Sequence, residues 1–175
     1  MAAILILYST TDGHTATICQ RLKGVLEDCG HGAMVMSIDD EANVDLAQFD
    51  KIVVGASIRY GHHSKALLAF IEKHHEALAA VPNAFFSVNA VARKPEKSTP
   101  ETNPYLAKFL PNIPWKPQAL EVFAGKINYP KYGPLDKMMI RFIMWMTKGP
   151  TGRNDVVDFT DWSKVDAFGR RIANL

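Results

Sequence analysis

The sequence predicts an α/β fold in which a doubly wound, five-stranded parallel sheet carries helices on both faces. Two observations indicate it: segments that are apolar throughout alternate along the chain with amphipathic helical segments, and the connections between most of them are short. The composition, 47% hydrophobic and 22% charged over 175 residues, is typical of a globular protein. We expect residues 1–175 to form a single domain.

The first half of the chain supplies three strands and two helices. The run Ala3–Tyr8 is apolar throughout, as expected for a strand buried on both faces, and Lys51–Ala56 has the same character. Between them, residues 15–28 have the apolar spacing of a helix, and Ala33–Ile38 forms a second strand. A second helix is predicted over residues 63–79.

The second half supplies the rest of the sheet. Residues 84–88 and 120–124 are the fourth and fifth strands, separated by a polar, proline-containing loop and a short helix around Tyr105–Leu110. The last helix begins after Thr160 or Asp161, which are favoured N-cap residues, and ends near residue 173.

The connection between the fifth strand and the last helix is unusually long, from about residue 125 to about 158. Such a length indicates a functional segment or an elaboration of the domain, after or within the fifth strand. If residues 134–148 are a helix, Lys137, Arg141 and Lys148 share one stripe. The opposite and flanking positions are apolar: Leu135, Met138, Met139, Phe142, Trp145 and Met146. This helix could lie in a lipid headgroup layer or pack the same face against its own domain.

A hydroxyl-rich loop lies between the first strand and the first helix. In a parallel sheet this position presents the free N–H groups and positive dipole end of a helix, which suit a phosphate held without a lysine. The sequence lacks the glycine patterns of nucleotide-hydrolysing and dinucleotide-binding loops. The simpler alternative is an ordinary N-cap turn. The loop residues are Ser9, Thr10, Thr11, Asp12, Gly13, His14 and Thr15.

Charge is unevenly distributed although the net charge is only +2. Residues 1–50 carry two basic and eight acidic side chains, whereas residues 90–153 carry eleven basic and four acidic ones. A basic surface favours nucleic acid, acidic lipid or a carboxylated substrate, although solvated lysines are the ordinary alternative. Cys19 and Cys29 lack metal-binding spacing, so we expect reduced thiols and no metal site.

Two further stretches are similar to a known family. The loop after the first strand resembles that of the flavodoxin superfamily. The bacterial flavodoxin-type protoporphyrinogen oxidases are a narrower match, and two stretches of this chain resemble them: Gly55-Ala-Ser-Ile-Arg-Tyr-Gly-His62 and Ser87-Val-Asn-Ala-Val-Ala-Arg-Lys-Pro-Glu-Lys97. The similarity covers nearly the whole chain, including Tyr129–Tyr132. His62, His63 and Lys65 differ from residues that family members can carry, so they are not assigned to the site.

The resemblance implies FMN as cofactor, protoporphyrinogen IX as substrate and a membrane quinone, menaquinone or ubiquinone, as electron acceptor in haem biosynthesis. It also implies a cytoplasmic protein associated peripherally with the inner face of the cell membrane, and the quinone favours a membrane or substrate role for the long insert. We expect no nucleic acid partner, because the interleaved aromatic and basic residues of a single-strand platform are absent. The resemblance is compatible with a homo-oligomer and does not fix the oligomeric state.

The resemblance also assigns two flavin loops. Tyr60 is expected to stack on the isoalloxazine, Asn89 to bond its pyrimidine edge, and Arg59, Arg93 and Lys94 to meet substrate propionates. No general base is assigned, since FMN carries the chemistry. The second loop comprises Ala56, Ser57, Ile58, Arg59, Tyr60 and Gly61, and the third comprises Ser87, Val88, Asn89, Ala90, Val91, Ala92 and Arg93.

Three other functions are compatible with a flavin site. An electron-transfer flavodoxin would normally be strongly acidic, unlike this chain. The others are a non-catalytic FMN- or anion-binding module and a flavin-dependent NAD(P)H:quinone reductase.

Overall fold

The central sheet has five parallel strands in the order β2-β1-β3-β4-β5, as a computed structural model of residues 1–175 describes them. The strand order reverses between β1 and β3, which is the switch point where doubly wound folds bind ligands. The predicted fold class is confirmed. The strands are β1 (Ala3–Ser9), β2 (Gly32–Ser37), β3 (Lys51–Ser57), β4 (Asn83–Asn89) and β5 (Ala119–Ala124).

Helices cover both faces of this sheet, which is why the strands are apolar throughout. Along β1, Ile4 and Ile6 pack on one face and Leu5 and Leu7 on the other. Helices α1 and α5 cover the first face, and α2 and α3 cover the second. Their bounds, with that of the insert helix α4, are α1 (His14–Asp28), α2 (Lys65–Ala79), α3 (Pro104–Phe109), α4 (Pro134–Met146) and α5 (Trp162–Ala173).

Side-chain caps set several element ends. Asp161 accepts from the Lys164 N–H and begins α5 as predicted. Ser64 accepts from the Leu67 N–H, so α2 begins at Lys65 and not at residue 63. Ile38 was predicted to end β2, but it begins a 3₁₀ turn because the Ser37 hydroxyl accepts the Asp39 N–H.

The insert follows the fifth strand and does not interrupt it. Strands β6 (Lys126–Asn128) and β7 (Val156–Asp158) pair antiparallel, and α4 lies between them. The two ends of the insert meet, because the Phe159 N–H donates to the Gly125 carbonyl over 3.1 Å. A small separate core holds it together, formed by Ile127, Tyr129, Tyr132 and Met144.

Helix α4 ends at Met146, two residues before the predicted end. Its inward side is formed by Met144 with Ile140 and Ile143, which pack on the insert core. The six apolar residues predicted opposite or flanking the basic stripe are all exposed, so the alternative in which that face packs on its own domain is wrong. None of the helices combines the length and the apolar character that crossing a bilayer requires. That residues 1–175 form one domain stays a prediction.

Candidate cofactor site

The three predicted loops meet at the carboxyl edge of the sheet. They follow β1, β3 and β4 and line one cleft of about 930 Å³, including its open mouth. The residues of the predicted loops that line it are Thr10, Thr11, Asp12, His14, Thr15, Ser57, Ile58, Arg59, Tyr60, Gly61, Val88, Asn89, Ala90 and Val91.

The other predicted residues do not line this cleft. The Ser9 hydroxyl is bonded to that of Ser64 over 2.8 Å, and Gly13 faces an adjoining polar pocket. The remaining predicted residues also lie off the cleft; these are Ala56, Ser87, Ala92, Arg93 and Lys94. Ala56, Ser87 and Ala92 are buried, and they support the loops from inside. The assignment of individual residues to a ligand stays a prediction.

The loop after β1 has the unused donors that a phosphate needs. Gly13 has a φ of +84°, and its N–H donates to Thr10 Oγ1 over 3.0 Å. The N–H groups of the following three residues, 14–16, donate to no protein acceptor. Thr15 is fully buried, and its Oγ1 has no hydrogen-bond partner. A buried orphan hydroxyl is costly unless a ligand completes it, so these residues fit a phosphate group.

His14 is held in one tautomer by a short hydrogen-bond chain. The Thr160 hydroxyl donates to the Ala124 carbonyl over 2.8 Å, so it must accept from His14 Nε2–H, which lies 2.7 Å away. Burial lowers the pKa of His14, and this outweighs the opposite effect of Asp158, whose carboxylate lies 3.7 Å from Nε2. The imidazole is therefore neutral at pH 7 and adds no charge to the phosphate loop.

Arg59 forms a two-sided ion pair at the cleft mouth. Its guanidinium lies 2.9 Å from Asp12 Oδ2 and 2.7 Å from Asp136 Oδ2 on α4. It also sits 5.4 Å from the ring centroid of Tyr60 and 5.5 Å from that of Tyr132. Arg59 therefore joins the phosphate loop, the second loop and the insert. Two carboxylates pair with this guanidinium, and its contact with a substrate propionate stays a prediction.

Tyr60 lines the cleft, but its hydroxyl is engaged by the insert. The hydroxyl donates to Asp136, and this hydrogen bond is the main reason why the pKa of Asp136 is lowered. Tyr60 adopts a left-handed φ of +50°, an uncommon conformation for a bulky residue. The ring is about half exposed, so one side of it is open. Stacking of Tyr60 on a flavin stays a prediction.

The Asn89 side chain supports the third loop from within. Its Oδ1 accepts the Ala92 N–H over 3.1 Å and Asn103 Nδ2–H over 3.2 Å, and its Nδ2 donates to Ser87 Oγ. The side chain is buried, and both of its polar atoms are used inside the protein. The side chain therefore has a structural role inside the loop, and its bond to the flavin pyrimidine edge stays a prediction.

Arg93 and Lys94 do not line the cleft, so the structure gives no support to their expected role as substrate ligands, which stays a prediction. Arg93 donates to the Ala90 carbonyl over 2.7 Å and to the Thr147 carbonyl and hydroxyl over 3.0 and 2.9 Å. These bonds fasten the carboxyl end of α4 to the third loop. Thr147 is 54 positions away in sequence, which is why the sequence did not indicate this contact.

The far wall of the cleft was missed by sequence reasoning. It is built largely by the insert, with Tyr105 added from α3. The sequence signal for this wall was the unusual length of the insert. The missed lining residues are Tyr105, Gly125, Lys126, Ile127, Tyr132, Ile140, Ile143 and Met144.

Comparisons with known proteins agree with this geometry. A family model described as a flavodoxin domain matches residues 5–154. Among solved structures, an archaeal flavodoxin superposes with a TM-score of 0.53 at 15% identity, covering 98% of this chain and 96% of its own. The rubredoxin oxygen:oxidoreductase of Desulfovibrio gigas superposes at 0.51 with 10% identity, covering 98% of this chain and 35% of its own. These structures establish the fold alone, which is that of a flavodoxin-like domain.

Curated relatives are far closer in sequence. The protoporphyrinogen IX dehydrogenase [quinone] of Escherichia coli K12 is 45% identical over 98% of this chain and 94% of its own length. The protein of the same name from Leishmania major is 44% identical over 98% of this chain and 74% of its own length. The chain belongs to the family of these dehydrogenases, within the flavodoxin domain family.

Proposed function

We propose that this protein uses FMN to oxidise protoporphyrinogen IX to protoporphyrin IX and passes the electrons to a quinone. The observation that carries the proposal is the cleft at the switch point of the sheet, with unused amides and a buried, unpartnered Thr15 hydroxyl at one end. This end fits a terminal phosphate. The 45% identity to dehydrogenases of that name supplies the substrate and the acceptor.

Bound FMN supplies the two-electron redox chemistry, and the protein supplies binding, orientation and exclusion of water. The Thr15 hydroxyl and the amides after Gly13 would hold the phosphate of the cofactor. The apolar side chains of Ile140, Ile143 and Met144 line the cleft and would exclude water from a flavin bound there.

Conversion of a porphyrinogen to a porphyrin removes six electrons, so three two-electron rounds are needed. The cleft must therefore admit the substrate and the quinone repeatedly, and its mouth lies beside Arg59 and Tyr60. An alternating, ping-pong cycle follows from a single cleft. Steady-state kinetics that require both substrates bound together would contradict it.

The test is anaerobic mixing of the flavin-loaded protein with protoporphyrinogen IX and, separately, with NADH and NADPH. We expect loss of the oxidised flavin absorbance with the porphyrinogen and none with either nicotinamide. Added quinone should restore the absorbance. Reduction by NAD(P)H alone would instead support a quinone reductase, and no reduction by either would support an electron-transfer flavodoxin. Acid precipitation should release FMN and not FAD.

We further propose that the outer face of α4 rests on an anionic membrane surface. Trp145, Leu135 and Phe142 are 71%, 68% and 54% exposed, and three more apolar side chains surround them. An exposed apolar patch of this kind marks an interaction site. The basic residues Lys137 and Arg141 lie on the same helix and complement acidic lipid headgroups.

Co-sedimentation with phosphatidylglycerol vesicles tests the membrane proposal. We expect the wild type to pellet, and Phe142→Glu with Trp145→Glu to stay in the supernatant. A matched control is Met34→Glu with Leu68→Glu, which alters two exposed apolar residues outside the insert. Equal pelleting of all three proteins would contradict the proposal. Dimerisation that the Phe142 and Trp145 changes abolish would assign the face to a second copy of the chain.

A further inference from the structure

The charged side chains at the phosphate loop sum to a negative value before any phosphate binds. The loop itself carries the Asp12 carboxylate, while His14 is neutral. The Arg59 guanidinium is shared between Asp12 and Asp136, so the three groups together leave one negative charge. A phosphate monoester adds a charge of about −1.5 to −2 at pH 7. A cation beside the loop would offset this negative charge and strengthen the binding of a phosphate.

Lys126 lies beside the loop. It belongs to β6, and it lines both the main cleft and the adjoining polar pocket that Gly13, His14 and Lys131 also line. Three effects shift the pKa of His14: burial lowers it, Asp158 raises it and the positive charge of Lys126 lowers it, in decreasing order of size. The Lys126 ammonium therefore acts electrostatically on the phosphate loop.

The Lys126 ammonium has no partner of its own in the protein. It faces Asp158 in the β6–β7 register, but no carboxylate lies within 4 Å of its Nζ. The Lys131 ammonium is also unpaired. The buried Thr15 hydroxyl is an independent sign that a ligand completes this end of the cleft.

We propose that Lys126 is the counter-cation of the cofactor phosphate, with Lys131 adding to the positive potential. The inference rests on the proposed binding of FMN. The proposal makes the insert part of the cofactor site, because Lys126, which follows β5, then completes a phosphate site whose loop follows β1. A charge-assisted hydrogen bond from an ammonium to a phosphate is about twice as strong as a neutral one, which makes Lys126 a strong contributor to affinity.

The experiment compares FMN with riboflavin, which has the same ring system but no phosphate. Each flavin is titrated into the full-length, flavin-free chain, and binding is followed by quenching of flavin fluorescence. For Lys126→Gln we expect FMN to bind roughly tenfold or more weakly. Riboflavin affinity should be unchanged, and the salt dependence of FMN binding should become shallower.

Two further variants make the result decisive. Lys126→Arg should keep most of the FMN affinity, because it retains the charge. Lys137→Gln removes an insert lysine that lines neither pocket and should leave both flavins unaffected. Unchanged FMN affinity in Lys126→Gln would overturn the inference, and so would equal losses for FMN and riboflavin. A wild type that binds neither flavin would overturn the proposed function itself.

Discussion

Arg59 Nη2 and Asp136 Oδ2 lie 2.7 Å apart, and this contact joins the loop after β3 to the first turn of α4. The Tyr60 hydroxyl donates to the same carboxylate. Asp136 therefore holds the amino end of the insert helix against the cleft mouth. The carboxyl end of the helix is held separately, by Arg93 and Thr147.

Asp136→Asn should loosen the amino end of α4 without unfolding the protein. The amide keeps a hydrogen bond but loses the charge that pairs with Arg59. The Asp136 side chain is still 35% exposed, so we expect little change in the free energy of unfolding. Hydrogen exchange of α4 amides should become faster. Asp166→Asn is the control, since it removes a carboxylate that pairs with Arg21 on another surface, and it should leave α4 exchange unchanged.

Thr15→Val should separate the stability of the flavin-free protein from its cofactor affinity. The Thr15 hydroxyl is buried and unpartnered, so replacing it with a methyl group should stabilise the flavin-free form by about 1 kcal/mol. FMN affinity should fall about tenfold because the phosphate loses a donor. Urea unfolding and FMN titration measure the two effects.

Thr17→Val is the matched control for Thr15. Thr17 lies two residues further along the same helix, and its hydroxyl donates to the Gly13 carbonyl over 3.3 Å. It should leave FMN affinity near the wild-type value. A destabilised Thr15→Val protein that binds FMN normally would contradict the proposal that this loop binds the FMN phosphate.

His63 should make the protein less stable in mild acid. Burial lowers the pKa of His63 to about 4, and its Nε2 pairs with Ser87 Oγ. Below pH 6.5 the unfolded chain takes up a proton that the folded protein rejects, so stability falls as the pH drops. The loss should reach ~3 kcal/mol by pH 4, and it should be absent above pH 7.

Unfolding in urea at pH 7 and at pH 5 measures this loss. His63→Phe should remove the His63 part of it, because the ring can still pack against Phe85 and Phe109. His62→Gln, at the exposed neighbouring position, should keep the wild-type pH dependence. The idea fails if His63→Phe and wild type lose the same stability between these two pH values.

Arg93→Gln should destabilise the protein and leave substrate recognition largely intact. The change removes charge-assisted bonds to the Ala90 and Thr147 carbonyls, which should cost about 1–3 kcal/mol. Urea unfolding measures this, and KM for protoporphyrinogen IX measures recognition. A large rise in KM at unchanged stability would instead restore the expectation that Arg93 binds a propionate.

The sheet and the three loops could be predicted because their signals are local. Strands such as Ala3–Ser9 are buried on both faces, and an uninterrupted apolar run is the direct consequence. In a parallel sheet the carboxyl ends of strands share one edge, so loops after β1, β3 and β4 must meet once the strand order is known. Their convergence on one cleft is confirmed.

The side-chain roles could not be predicted in the same way. Arg59 was assigned to substrate, but it pairs with Asp136, which is 77 positions away. Asn89 and Arg93 are polar residues in site loops, and a sequence does not show whether such groups face a ligand or hold the loop. The hydrophobic periodicity of α4 likewise did not indicate that Ile140 and Ile143 would pack inward while Phe142 stayed exposed.

The insert leaves and rejoins the main chain at one point, where the Phe159 N–H meets the Gly125 carbonyl. Because its two ends meet, the insert can be removed or exchanged with very little change in the spacing between β5 and α5. Shortening it to a tight link should leave a smaller domain with the same sheet. Grafting it onto a plain electron carrier of this fold would transfer the cleft wall, Lys126 and the apolar outer face together.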